Sequence, residues 1–192
     1  MPNTSLINDT RFDNFITQLT ELIEGNATQR LPEKIKPLLM DLVAHDDWLE
    51  AAYRQPHPDH YQQYLLYKDI QNRFSVVAFV WGPGQYTPIH DHQVWGVIGM
   101  LSGAEQSQSY RQEAREMVLV GAPVVLRPGD VEILSPETGD IHQVSNYFND
   151  QVSISIHIYG SDIGTVNRFV YTPEGKAKSF ISGYANSPLP AQ

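Results

Sequence analysis

The sequence predicts an all-β jelly-roll barrel with an N-terminal helical segment. From about residue 61 onward, short β-branched runs recur at nearly regular intervals, each bounded by Gly or Pro, a pattern of closed or double-layered antiparallel sheets. Before them, apolar residues return every three or four positions, the helical period. Strands never alternate with long helices, as a parallel α/β sheet would require. A chain of 192 residues can bury one sizeable core. One domain is expected, with a helical lead-in over 1–60, a barrel over 61–172 and an irregular tail over 173–192.

Phe12, Phe15, Ile16, Leu19, Leu22 and Ile23 form one apolar stripe, which Gly25-Asn26 ends. A second helix is expected over 35–52, with Leu38, Leu39, Leu42, Val43, Trp48 and Leu49 as its buried positions. Pro56-His57-Pro58 closes the helical region, because proline removes a donor and restricts its predecessor. Strand character begins at Tyr64, and Arg73 to Trp81 is the clearest strand, turned by Gly82-Pro83-Gly84. Further strands are expected over 95–101, 105–110, 116–120, 131–134, 141–147, 152–159 and 167–171. Trp81 and Trp95 read as core residues. His45, His57 and His60 read as surface residues, with His57 or His60 at the mouth of any pocket.

Charge and composition exclude several classes of function. Thirteen Lys and Arg against 22 Asp and Glu give a net charge of −9 with no basic run, a field that repels nucleic acid. No apolar stretch approaches the roughly 18–20 residues that cross a bilayer, so no membrane partner is expected. Cysteine is absent, which removes disulfides, thiolate ligands and a cysteine nucleophile together. The first residues carry no basic and then apolar segment, so the cytoplasm is the expected compartment.

The chemistry concentrates in Gly84-x5-His90-x-His92 and, some fifty residues on, Gly139-x2-His142-x3-Asn146. Side chains alternate along a strand, so His90 and His92 are expected to share a face, with His142 joining them through the fold. Imidazoles suit iron, nickel, copper and zinc, whereas magnesium and calcium prefer oxygen. Three histidines equally describe a catalytic zinc with an open position. Gly84 and Gly139 allow tight turns into the metal strands. Asn146 reads either as a tie for a neighbouring turn or as a plain surface residue.

Ser155, His157 and Tyr159 alternate with Val152, Ile154, Ile156 and Ile158. One face of this strand is apolar and the other presents three polar groups, either a hydrogen-bonded row beside the metal or a solvated sheet face. A Ser155–His157 nucleophile pair has little support, since no elbow glycine flanks the serine.

The two histidine segments resemble the motifs of the cupin superfamily, with Gly84, His90, His92 and Gly103 matching the first and Gly139, His142 and Asn146 the second. The resemblance implies a double-stranded β-helix fold, and the missing glutamate of the first motif points to the three-histidine branch, the thiol dioxygenases. The blocks Phe79-Val-Trp-Gly-Pro-Gly, Pro88-Ile-His-Asp-His and Trp95-Gly-Val-Ile-Gly-Met, within about 61–171, resemble the cysteine dioxygenase family, and most closely its 3-mercaptopropionate dioxygenase branch. The resemblance implies that His90, His92 and His142 hold Fe(2+), and that Ser155, His157 and Tyr159 form a row with the Tyr159 hydroxyl near bound thiol and oxygen. It implies that Arg168 binds the substrate carboxylate, and that Gln63 stands where cysteine dioxygenases carry an arginine. The implied reaction converts a short thiol carboxylate and O2 to a sulfinate, in a monomer or weak homo-oligomer. Cysteine or another short thiol acid such as mercaptosuccinate is the rival substrate. A non-catalytic ligand-binding cupin and a nickel or zinc hydrolase or isomerase are the rival classes. Mammalian members cross-link a cysteine to the active-site tyrosine; without cysteine, Tyr159 must be placed by hydrogen bonds alone.

Overall fold

Local chemistry sets the first helix of the computed structural model, which describes residues 6–25 and 30–186. The Asp9 carboxylate accepts from the backbone N–H groups of Arg11 and Phe12 and so caps α1 (Thr10–Gly25). Asn26, expected to help end that helix, lies outside the described residues. The second helix starts and stops earlier than its apolar pattern suggests. α2 spans Leu31–Val43, with Pro32 in its first turn, where a missing N–H costs nothing. Trp48 and Leu49 are buried, yet they sit beyond that helix, ahead of a single 3-10 turn at Ala51–Tyr53. Their burial comes from a folded-back loop, and the Trp48 indole donates to the carbonyl of Leu42.

The remaining elements are strands: β1 (Gln62–Lys68), β2 (Ser75–Trp81), β3 (Ile89–His90), β4 (Gly96–Ser102), β5 (Glu105–Glu113), β6 (Glu116–Leu126), β7 (Val131–Leu134), β8 (His142–Asn146), β9 (Ser153–Tyr159), β10 (Arg168–Tyr171) and β11 (Ala177–Phe180). They form two antiparallel sheets, one ordered β1-β2-β9-β4-β7 and the other β11-β10-β3-β8-β5-β6. This is a cupin-type double-stranded β-helix with two N-terminal helices. The tail differs from its expectation: β11 lies within the supposedly irregular 173–192 and pairs with β10 from Arg168↔Phe180 to Tyr171↔Ala177. Residues 187–192 lie outside the described part.

The helices decide what the two faces of β9 mean. Ile154, Ile156 and Ile158 join Phe12, Leu19, Leu39 and Val43 in one core, so the helical layer covers the outside of this sheet. Gly99 of β4 admits that contact, since a Cβ there would sit 2.9 Å from the Leu39 side chain. With the isoleucines turned outward to the helices, Ser155, His157 and Tyr159 face the barrel interior and are fully buried. The row is not a solvated sheet face.

Asn146 resolves in the same way. It is 5% exposed. Its amide nitrogen lies 3.1, 2.9 and 2.9 Å from the carbonyls of Trp81, Gly82 and Gln151, and its oxygen accepts from Phe148 N and Ser153 Oγ. One side chain thus ties the end of β2 to the β8–β9 turn. Asn146→Ala would orphan buried carbonyls and is expected to cost ~3 kcal/mol. The check is a lower urea midpoint with unchanged slope; a midpoint like that of the native chain would show the ties to be redundant.

Candidate active site

His90, His92 and His142 converge inside the barrel, with potential ligand atoms all within 4.8 Å of one another. Their ring centroids form a nearly equilateral triangle of 4.9, 4.8 and 4.9 Å. Each ring has its Nδ1 on an oxygen: Pro88 O at 3.0 Å for His90, Asp140 O at 3.1 Å for His92 and Ser107 Oγ at 3.0 Å for His142. The two carbonyls accept from Nδ1 and so leave the Nε2 lone pairs of His90 and His92 for a cation, and the Ser107 hydroxyl can accept from His142 in the same way. Burial pulls His90 down to about 4 and holds His92 and His142 well below the ordinary histidine value. Three neutral imidazoles are a donor set suited to a divalent transition metal.

The route by which His92 arrives corrects the strand expectation. β3 contains only Ile89 and His90, and the chain leaves it at Asp91. His92 is instead placed by Asp140, whose carboxylate accepts from the backbone N–H of His92 at 2.8 Å and of Gln93 at 3.2 Å. Gln93 adopts φ 61, a left-handed turn that a continuing strand would not permit. Asp91 performs a second tie, accepting from Phe169 N, the Tyr171 hydroxyl and the Gln93 amide. It fastens the loop that carries His92 to β10, the strand that carries Arg168. Sequence reasoning missed both aspartates; the His-Asp-His tripeptide and the Gly-Asp dipeptide that hold them were visible without a partner to give them meaning.

A cavity of about 220 Å³ opens beside His90, lined also by Tyr61, Gln63, Phe79, Tyr159, Arg168 and Phe180. Arg168 is 3% exposed. Its guanidinium donates to Ser182 Oγ at 2.6 Å and lies 4.7 Å over the Phe180 ring, yet its Nε has no partner. Among the described residues it forms no ion pair. Burial pulls it below its ordinary value, opposed by Tyr159, Tyr61, Tyr184 and Asp91. A buried cation without a counter-anion is costly unless a ligand supplies one. Gln63 projects from β1 into the same cavity with its side-chain oxygen unpartnered. The two residues that complete the Arg168 setting, Phe180 and Ser182, come from the segment expected to be irregular.

On the opposite wall, Ser155 Oγ lies 2.8 Å from His157 Nε2, and His157 Nδ1 lies 2.8 Å from the Tyr159 hydroxyl. Phe79 stacks on His157 with centroids 4.0 Å apart. Burial lowers His157 to about 3, so this ring stays neutral, and burial raises Tyr159 above the usual phenol range. Gly96 lies against the Tyr159 ring, where a Cβ would be 3.2 Å from two ring carbons. His60 lines a more open groove that shares Tyr61, Gln63 and Phe180 with this cavity.

The family model described as cysteine dioxygenase type I matches residues 1–171, the helical lead-in included. Among solved structures, an uncharacterised conserved protein with a double-stranded β-helix domain from Klebsiella pneumoniae is similar at 20% identity, with a TM-score of 0.47 over 59% of this chain and 88% of that one. A Cupin 2 conserved barrel domain protein from Salinispora arenicola is 21% identical, with a TM-score of 0.43 over 59% of this chain and 86% of that one.

Proposed function

This chain belongs to the cysteine dioxygenase type I family, and from that premise we propose that it is a non-haem iron(II) thiol dioxygenase acting on a short thiol carboxylate, with 3-mercaptopropionate preferred. The observation behind this reading is the pairing, in one small cavity, of a three-imidazole cluster with a buried guanidinium that lacks an anion. His90, His92 and His142 would hold the metal through Nε2, and iron(II) bound there would supply the redox partner that O2 needs. In the overall reaction, thiol plus O2 gives the sulfinic acid. Both oxygen atoms end on sulfur, which loses the four electrons that O2 gains.

The residues divide the remaining work. Arg168 offers a planar fork to the substrate carboxylate, a bidentate match that an ammonium cannot provide. Fixing that end directs the thiol sulfur toward the cluster, which supplies orientation. Tyr159 presents its hydroxyl to the same space and is itself positioned by His157 and Ser155. Phe79 and Trp81 close the wall around that row against water.

Charge selects between substrates. No carboxylate lines the cavity among the described residues, so an α-ammonium group would meet Arg168 and a metal without a counter-anion. This supports an amine-free thiol acid. Cysteine is the second reading, favoured by the family's description and by the unpartnered Gln63 oxygen, an acceptor that an ammonium can use. Oxygen uptake by the iron-loaded protein with each compound separates the two. The expected result is a higher kcat/KM for 3-mercaptopropionate than for L-cysteine. A preference for cysteine would overturn the substrate assignment, and no uptake with either would favour a non-catalytic ligand-binding cupin.

A further inference from the structure

We propose that Glu105 is a positioning residue that sets the direction of the Ser155–His157–Tyr159 hydrogen-bond row, and so decides whether Tyr159 offers a ligand its proton or its lone pairs. Glu105 starts β5 at 1% exposure, and one of its carboxyl oxygens has no partner. Its other neighbours are the Ser155 hydroxyl on β9 and the Trp81 indole on β2, both of which favour its charged form. Across its own sheet it pairs with Leu126 and Asn146, neither of them charged. From β7, Glu132 adds a like charge, and no cation forms an ion pair with Glu105 among the described residues. This carboxyl therefore stands at the buried end of the row, where the thiol dioxygenase reading assigns it no part.

Counting donors shows how a proton at Glu105 can be relayed along the row. A serine hydroxyl has one proton and two lone pairs. The Trp81 Nε1–H, which also faces Glu105, donates to Ser155 Oγ at 3.2 Å and uses one lone pair. One proton and one lone pair remain, to be shared between Glu105 and His157 Nε2. When Glu105 is ionised it takes the serine proton, so His157 must donate from Nε2 and accept from the Tyr159 O–H at Nδ1. When Glu105 is protonated it donates to Ser155, Ser155 donates to His157 Nε2, and the His157 proton sits on Nδ1 facing Tyr159. The Tyr159 proton is then free to point into the cavity. One proton added at Glu105 reverses three hydrogen bonds, and every other member of the row stays neutral.

The switch falls in an accessible range. Burial lifts the Glu105 carboxyl to about 7, with Glu132 adding to burial and Ser155 and Trp81 opposing it. His157 itself stays unprotonated there, because burial has lowered it to about 3.

The inference concerns the row that the thiol dioxygenase reading uses, yet its test needs no turnover. The full chain, loaded with diamagnetic Zn(II) and labelled with ¹⁵N-histidine, reports by NMR which His157 nitrogen carries the proton. Between about pH 5.5 and 8.5, that proton is expected to move from Nδ1 at low pH to Nε2 at high pH. Glu105→Gln, which does not titrate, should hold one tautomer throughout, and Ser155→Ala should abolish the shift by cutting the row. A wild-type His157 that keeps one tautomer across the range, or that shifts equally in Glu105→Gln, would overturn the proposal. Should Glu105→Gln fail to fold, the wild-type titration and Ser155→Ala still decide. A tautomer shift in a protein that oxidises no thiol would leave Glu105 its role and remove the dioxygenase reading.

Discussion

His142→Ala is expected to abolish thiol oxidation and to strip the protein of metal. The three histidines come from two pieces of chain, His90 and His92 from β3 and the loop that follows it and His142 from β8. Two imidazoles remain in the variant, with His90 and His92 still fixed by Pro88 and Asp140. Removing a partner outside the ligand set of a metal site typically costs ~10–100-fold in affinity or activity, so loss of a ligand should exceed ~100-fold in both. Ser107→Ala provides the graded comparison, because it takes away only the oxygen that orients His142 Nδ1. Its expected loss is about 10-fold. Metal content by elemental analysis and oxygen uptake with 3-mercaptopropionate, measured on the same preparations, test both variants. Full metal content and unchanged uptake in His142→Ala would dismiss the three-histidine centre.

Arg168→Met should separate function from stability. The guanidinium lies buried beside the cavity with an unpartnered Nε and, among the described residues, no ion pair to a carboxylate. Truncating one partner of a buried charge pair costs ~2–5 kcal/mol of binding, which corresponds to a loss of roughly 30- to 5,000-fold in kcat/KM for the thiol acid. Metal content should not change, since Arg168 ligates nothing in the cluster. The ligand-free variant should be at least as stable as the native chain, because an apolar side chain replaces an uncompensated buried charge. Arg168→Lys should recover little, as a point charge lacks the planar fork that matches a carboxylate. Steady-state kinetics and thermal melts of the ligand-free proteins check both halves. An unchanged kcat/KM would remove Arg168 from substrate binding.

These two residues show how differently a site can be legible in a sequence. His90, His92 and His142 stand out because their glycines and spacing are local features, and imidazole chemistry is the same wherever it is placed. Arg168 alone on a strand looks like any solvated arginine. Only the β10–β11 pairing, with Phe180 beneath it and Ser182 beside it, makes it a buried cation facing a cavity. The strand β11 escaped notice because a four-residue run, Ala177–Phe180, has too little apolar alternation to register.

What the sequence by itself determined is the barrel, the helical lead-in, the kinds of metal donor and the polar row on β9. These follow from period, turn residues and side-chain chemistry, all of which act over a few neighbouring positions. The tertiary structure alone decided that α1 and α2 cover the isoleucine face of β9, so that Ser155, His157 and Tyr159 turn inward. It also decided that Asp140, 48 residues away, rather than strand alternation, places His92, and that Glu105 meets the end of the row. Such pairings depend on sheet register between distant segments, and a register is a property of the folded sheets that no local window of residues contains.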